Sequence, residues 1–186
     1  MNAYSIALFL HIVGAVGFFV ALGLEWTGLW QVRSAMTPDQ VRGWMHILKS
    51  TRKVGFVSML TTVISGIYMM LTVWGGVAWV IVSLGSLVLV IALSTALTAP
   101  RMAIIGRTLA AEKGTMSGTF QRAANQPLLW ISIQVRVAIA LGIIFLKTAK
   151  PDLGGSLITI GVAIVLGLAS TLPVARREQA HEASTD

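Results

Sequence analysis

Five apolar stretches dominate the pattern of the chain. They cover residues 4–31, 54–73, 77–99, 128–146 and 157–172, and shorter segments separate them. A helix needs about 20 predominantly apolar residues to cross the ~30 Å hydrocarbon core of a bilayer. The pattern therefore predicts an all-α fold, a polytopic membrane bundle of five transmembrane helices.

One face of the first predicted helix combines small residues with three notable side chains. Alternating steps of four and three residues, which keep side chains on one side of an α-helix, give Ala7, His11, Gly14, Phe18, Ala21, Glu25 and Gly28. Small side chains allow helices in a membrane to approach closely. We therefore expect this face to pack against another helix.

The segment after the first apolar stretch predicts a short amphipathic helix over residues 38–53. Thr37 is a suitable N-cap, Pro38 suits the first helical position, and Gln40 completes a capping box. Apolar residues including Trp44 recur on one side, and the other side carries the basic residues Arg42, Lys49 and Lys53. This pattern is typical of a helix that lies in the membrane interface, with these four residues in contact with lipid.

Hydroxyl residues follow one side of the second apolar stretch. These residues, spaced three or four apart, are Ser58, Thr62 and Ser65, and Met69 continues the same side. Intramembrane hydroxyls bond to carbonyls of their own helix or to a neighbouring helix, so this side should face the protein interior. Pro100 is expected to end or kink the helix formed by the third stretch.

Composition and charge agree with a membrane location. The 186 residues are 55% hydrophobic and 11% charged, and the mean hydropathy is +0.80. Residues 1–175 form one predicted transmembrane domain, and residues 176–186 form a polar cytoplasmic tail. The net charge of +7 is explained by topology and an anionic cytoplasmic leaflet, so no nucleic-acid partner is expected.

The distribution of lysine and arginine predicts the orientation. Eleven of the 14 basic residues fall in the segments after the first and third stretches and in the tail, and two, Lys147 and Lys150, fall on the opposite side. Positive residues are retained in the cytoplasm. The N-terminus should therefore lie outside and the C-terminus in the cytoplasm of a bacterial inner membrane.

Arg136 lies inside the fourth apolar stretch. An arginine near the bilayer centre costs about 2.5–3.5 kcal/mol on insertion scales, so it needs a partner inside the protein. Glu25, near the cytoplasmic end of the first helix, is either a solvated interfacial charge or the partner of Arg136 in an intramembrane ion pair. Such a pair is most often structural, and a weaker alternative is a transporter or channel that uses Arg136.

His11 is the one histidine within an apolar stretch. Neutral imidazole is a good ligand for haem iron and for other metals such as copper. For a b-type haem, either Met69, on the inward side of the second helix, is the second axial ligand, or there is no second protein ligand. The alternative is that His11 only bonds a serine or threonine between packed helices. The chain contains no cysteine, which excludes thiolate ligands and disulfides.

The run Leu10-His11-Ile12-Val13-Gly14-Ala15, followed by Gly17 and a basic segment, resembles an uncharacterised family of bacterial integral membrane proteins classed as a domain of unknown function. The resemblance continues at Ser65-Gly66-Ile67-Tyr68 and Trp79. More loosely, the helix that contains His11 is similar to that of copper-resistance D-type proteins and of the membrane protoporphyrinogen oxidases. The latter resemblance implies haem ligation by His11. It does not extend to the oxidase reaction, because residues 77–99 lack the lysine that those oxidases have on their third helix.

Two functional hypotheses follow. In one, the protein binds haem b near its outer face through His11 and acts in electron transfer or haem handling. In the other, it is a cofactor-free accessory subunit that joins a homo-oligomer or a larger membrane complex. The sequence contains no nucleotide-binding glycine loop, zinc motif or paired-carboxylate arrangement, so an enzyme of a soluble type is not expected.

Overall fold

The computed structural model describes residues 2–112 and 116–171. All regular structure in these residues is helical, which confirms the all-α prediction. The α-helices are α1 (Ala3–Ser34), α2 (Pro38–Met69), α3 (Ala78–Leu93), α4 (Ala99–Ala111), α5 (Gly118–Ala124), α6 (Pro127–Ala149) and α7 (Leu153–Ala169). There are also two π-helical turns. Met70–Trp74 extends α2, and Ser94–Thr98 joins α3 to α4.

Four helical segments of the described residues are long and apolar enough to cross a membrane. They are Ala3–Ser34, Pro38–Trp74, Ala78–Ala111 and Gly118–Ala149. Helix α7 is also apolar but has only 17 residues. The fold is therefore compatible with a membrane bundle of four or five spans. The predicted polar tail, residues 176–186, lies outside the described residues.

Helix α2 begins as the sequence predicts but is longer. The Gln40 N–H donates to Thr37 Oγ1 (3.4 Å), and the Gln40 side chain accepts from the Thr37 N–H (3.2 Å). The helix then continues through residue 53 to Met69, so the predicted short helix is the first part of a longer one. A change from charged to apolar residues does not end a helix, because both kinds include strong helix formers.

Small residues bring α1 and α2 into close contact. Ala7, Gly14, Ala21 and Gly28 are all buried, which confirms the predicted packing face. A Cβ atom placed on Gly14 would lie 2.8 Å from the Ser58 carbonyl oxygen, and one on Gly28 would lie 2.7 Å from Leu48 Cδ2. At this separation a methyl group does not fit, so these glycines set the distance between the two helices.

Pro100 does not end the third apolar helix. It lies in the first turn of α4, directly after the π-helical turn Ser94–Thr98. Proline lacks an N–H and its ring collides with the carbonyl one turn earlier, and an inserted residue relieves both problems. The altered turn also leaves the Leu93 carbonyl able to accept from Ser132 Oγ of α6 (3.2 Å).

Helix α6 is the centre of the bundle. In the segment Gly118–Ala149, which contains α6, more than half of the apolar core of the helix is buried. This share is larger than in the other three long segments. Helix α7 packs against it closely, since a Cβ on Gly142 would lie 3.2 Å from the Cβ of Ala163. Ile139 and Leu146 of α6 are completely buried in the core that α3, α6 and α7 share. This central position explains how α6 can present polar side chains to α1.

The apolar side of residues 38–53 packs against other parts of the protein. Val41 and Leu48 are buried, and Trp44 is half-buried against the same core, which includes Ile105 of α4 and Phe120 of α5. Part of Trp44 is therefore packed against protein, and the lipid contact predicted for its exposed part stays a prediction. Helix α4 lies against α2, and α5 packs on α4 and on α1, so that their buried residues complete this core.

Candidate functional site

Helices α1 and α6 run antiparallel and bring two polar pairs together. Glu25 of α1 contacts Arg136 of α6, and His11 of α1 contacts Lys147 of α6. His11 and Glu25 are separated by 14 residues, about four turns, and Arg136 and Lys147 by 11 residues, about three turns. The polar side chains of each helix therefore share one face, and the two faces meet.

Arg136 and Glu25 form a two-point ion pair. Nη1 of Arg136 donates to Oε2 of Glu25 (3.0 Å), and Nη2 donates to Oε1 (2.8 Å). The Arg136 side chain is 4% exposed and the Glu25 side chain 21% exposed. Parallel hydrogen bonds between a guanidinium and a carboxylate are among the strongest in proteins. This arrangement gives the buried guanidinium of Arg136 a charged partner within the bundle.

Further bonds fix the guanidinium of Arg136 in place. Nη2 also donates to Thr98 Oγ1 (3.2 Å), and Nε donates to the Ser132 carbonyl (3.3 Å). The hydroxyls of Thr98 and Ser132 are 2.9 Å apart. Thr98, which lies two residues before Pro100, was not predicted to be a site residue. Its nearness to a helix-distorting proline was the only available signal.

A cavity of about 290 Å³ lies beside this ion pair. Glu25, Arg136 and Arg52 contribute its charged groups, and most of the wall is apolar. We call it the Glu25 cavity. Each carboxylate oxygen of Glu25 accepts from Arg136, so the pair joins α1 to α6 beside the cavity.

His11 is oriented by α2. Its Nδ1 lies 2.9 Å from the Thr62 carbonyl oxygen and 3.3 Å from Ser65 Oγ. A carbonyl oxygen can only accept, so Nδ1 must carry the proton, and a neutral imidazole then has its free lone pair on Nε2. The close approach depends on Gly66, where a Cβ would lie 3.1 Å from His11 Cε1.

Lys147 is the partner of the second ring nitrogen. Its Nζ lies 3.1 Å from His11 Nε2 and donates to it. Lys147 was predicted only as a charge outside the membrane. It lies about three helical turns from Arg136, and His11 lies about four turns from Glu25; this approximate agreement was the available signal for the contact.

A larger cavity of about 560 Å³ opens beside His11. Its wall is mainly apolar and includes Met69, Trp79, His11 and Lys147. We call it the His11 cavity. Because Met69 and His11 both line it, the two predicted axial ligands lie in the wall of one cavity. Met69 is 7% exposed. Phe18 lines this cavity and also the Glu25 cavity, and it therefore lies between the two.

Two tryptophans and two lysines meet at the end of the His11 cavity. Trp74 and Trp79 are in an edge-to-face contact with 5.6 Å between ring centroids. Lys150 Nζ lies 4.5 Å from the Trp74 ring centroid, and Lys147 Nζ lies 5.8 Å from that of Trp79. These distances are in the range of cation–π contacts. Tryptophan and lysine are typical of the membrane–water boundary.

The remaining predicted site residues lie elsewhere. Lys49 and Lys53 are exposed on α2, and Arg42 pairs with Asp39 (2.6 Å) and donates to the Glu112 carbonyl (3.2 Å). Over residues 2–112 and 116–171, no group of three or more histidine, aspartate or glutamate side chains is placed to hold a metal ion. A ligand set of protein side chains alone is thus not formed around His11.

The chain was compared with known proteins at three levels. No family model matches it, and neither a curated protein nor a solved structure was found to be similar.

Proposed function

We propose that this protein binds a b-type haem in the His11 cavity, with Nε2 of His11 as the axial ligand, and that it acts in electron transfer or haem handling. The main supporting observation is the bond from His11 Nδ1–H to the Thr62 carbonyl (2.9 Å). Histidines that ligate metals commonly donate their other ring N–H to a carbonyl, which fixes the tautomer and the ring orientation. Here that bond directs the Nε2 lone pair away from α2.

The wall of the His11 cavity fits such a group. A volume of about 560 Å³ is within the ~300–1,000 Å³ range of small-molecule and cofactor sites. The wall is largely apolar, as a porphyrin ring requires, and Met69 is a candidate for the second axial position. Lys147 occupies the approach to Nε2 in this structure, and its flexible side chain would have to move aside.

The chain's own residues have separate tasks in this proposal. Haem, when bound, supplies one-electron redox chemistry. Thr62 orients His11, Gly66 leaves room for the imidazole, and Phe18 separates the cavity from the Glu25 cavity. The Glu25–Arg136 pair holds α1 against α6 further along the same interface. It thereby keeps His11 in place in the cavity wall.

The membrane placement belongs to the proposal as well. We place the protein in a bacterial inner membrane with α7 as a fifth span, the N-terminus outside and the C-terminus in the cytoplasm. The His11 cavity then lies near the outer face. The basic residues of α2 and α4 support this orientation, because they lie at the opposite end of the bundle from the Trp74–Trp79 pair. We also propose that the protein is related to the bacterial integral membrane proteins that its first helix resembles.

A cofactor-free accessory subunit is the second candidate. It is favoured by the fact that both ring nitrogens of His11 already have partners, Thr62 and Lys147. In this case the polar pairs only hold helices together, and the protein functions in a homo-oligomer or a larger membrane complex. Its test is stable co-purification with a defined complex in mild detergent. The transport hypothesis based on Arg136 stays a prediction, to be tested by flux through Arg136→Ala.

The absorbance spectrum tests the haem proposal. Protein purified from cells supplied with haem should show a Soret band and, after reduction, the sharp visible bands of a low-spin b-type haem. If Met69 is the second ligand, Met69→Leu should retain haem but convert it to a high-spin spectrum. A spectrum unchanged by Met69→Leu would remove Met69 from the ligand set and leave His11 in it.

A further inference from the structure

Lys147 is the cation of the His11 cavity. It lines the cavity, its side chain is exposed, and among the described residues the polar and aromatic contacts of its Nζ are with His11 Nε2 and the face of Trp79. In the described part of the chain, the ion pairs include Arg42 with Asp39 and Arg136 with Glu25, and none of them involves Lys147. Lys147 therefore has no carboxylate partner there, although an ammonium group beside an apolar wall is stabilised by an anion.

We infer that the His11 cavity selects ligands that carry a carboxylate on an apolar body, and that Lys147 binds this carboxylate. The inference rests on the proposed function, because haem b is such a ligand: it has two propionate carboxylates on an apolar macrocycle. It adds the anion-binding residue and the class of ligand, neither of which follows from ligation by His11.

The contact between Lys147 and His11 couples ligand binding at His11 Nε2 to carboxylate binding at Lys147. With Nζ 3.1 Å from Nε2, the ammonium occupies the position that a ligand atom on Nε2 would take. Binding at Nε2 must displace Lys147, which then loses its hydrogen-bond acceptor. A carboxylate on the same ligand replaces that acceptor with a charged one, and charge-assisted bonds are the stronger kind. An uncharged ligand displaces Lys147 without offering it a new partner.

Lys150 provides a matched control. It is a second lysine at the same end of the bundle, three residues further on, and its Nζ lies 4.5 Å from the Trp74 ring centroid. It does not line the His11 cavity. Substituting Lys150 therefore changes the local charge by the same amount as substituting Lys147, without removing the group that contacts His11.

The test compares haem with its dimethyl ester, in which both carboxylates are neutral. Each is titrated into detergent-solubilised wild type, Lys147→Met, Lys147→Arg and Lys150→Met, with affinity read from the Soret absorbance. The ratio of the two affinities is compared between variants, so that partition into detergent cancels. Size-exclusion profiles and circular dichroism show whether each variant is folded.

Wild type and Lys150→Met should prefer haem over the ester by about tenfold or more, the magnitude of one charged hydrogen bond. Lys147→Met should bind haem more weakly and the ester more tightly, because His11 is then no longer blocked, and its preference should disappear. Lys147→Arg should retain it. Equal affinities in wild type, or a preference that survives Lys147→Met, would overturn this inference and leave haem binding intact. Failure to bind either form would overturn the proposed function itself.

Discussion

The Nζ atom of Lys147 lies 3.1 Å from Nε2 of His11, across 136 residues of sequence. A second contact across the same helix pair joins Arg136 to Glu25. One pair is at the boundary of the bundle beside the larger cavity, and the other is buried next to the smaller one. The antiparallel alignment of α1 and α6 thus sets both the candidate ligand site and its structural support.

Removing Glu25 should destabilise the protein strongly. Glu25→Ala leaves the buried guanidinium of Arg136 without its charge partner, and breaking a buried pair in this way costs about 3–5 kcal/mol. The double variant Glu25→Leu with Arg136→Met should recover most of this loss. Thermal unfolding in detergent measures both effects.

The exposed pair of Arg42 and Asp39 is the control for that experiment, since Asp39→Asn should change stability by less than about 1 kcal/mol. If Glu25→Ala were as mild as Asp39→Asn, the ion pair with Arg136 would not support the bundle.

A methyl group at position 14 should weaken the contact between α1 and α2. A Cβ there would lie 2.6 Å from Thr62 Oγ1 and 2.8 Å from the Ser58 carbonyl oxygen, and overpacking of this kind costs about 1–3 kcal/mol. Gly23 on the same helix has open space around its Cα. Gly23→Ala should therefore be neutral or slightly stabilising, because alanine favours helices over glycine. Equal unfolding temperatures for the two alanine variants would contradict the close contact at Gly14.

Cysteine labelling can decide the number of spans. The natural chain has no cysteine, so a single introduced thiol is the only reactive one. If α7 crosses the membrane, Asp152→Cys and Ser170→Cys, which flank the helix, should react from opposite sides with a membrane-impermeant maleimide. We expect Asp152→Cys to be labelled from outside in intact cells and Ser170→Cys only after permeabilisation. Labelling of both from one side would reduce the bundle to four spans.

Local sequence signals predicted much of this structure. Thr37 and Gln40 identified the start of α2, because a capping box depends only on neighbouring residues. The small residues around Gly14 identified the packing face of α1. Glu25 was predicted as the partner of Arg136, since an arginine inside an apolar stretch has few possible partners in this sequence.

Other features depend on contacts that no local pattern contains. The length of α2 follows from the absence of a helix breaker at the change from charged to apolar residues. The half-burial of Trp44 depends on a core that helices distant in sequence build together. The neighbour of His11 was not predicted because Lys147 lies near the end of α6 and was treated as a charge outside the bundle.

The central claim is that His11 ligates haem, and the most direct test is the Soret absorbance of three proteins purified from cells supplied with haem. Wild type should show the band, and His46→Ala, which removes an exposed histidine of α2, should retain it at the same intensity per protein. His11→Ala should lose it while remaining folded by size-exclusion chromatography. A wild-type protein without a Soret band would contradict haem binding, and a band that persists in His11→Ala would contradict the assignment of the ligand.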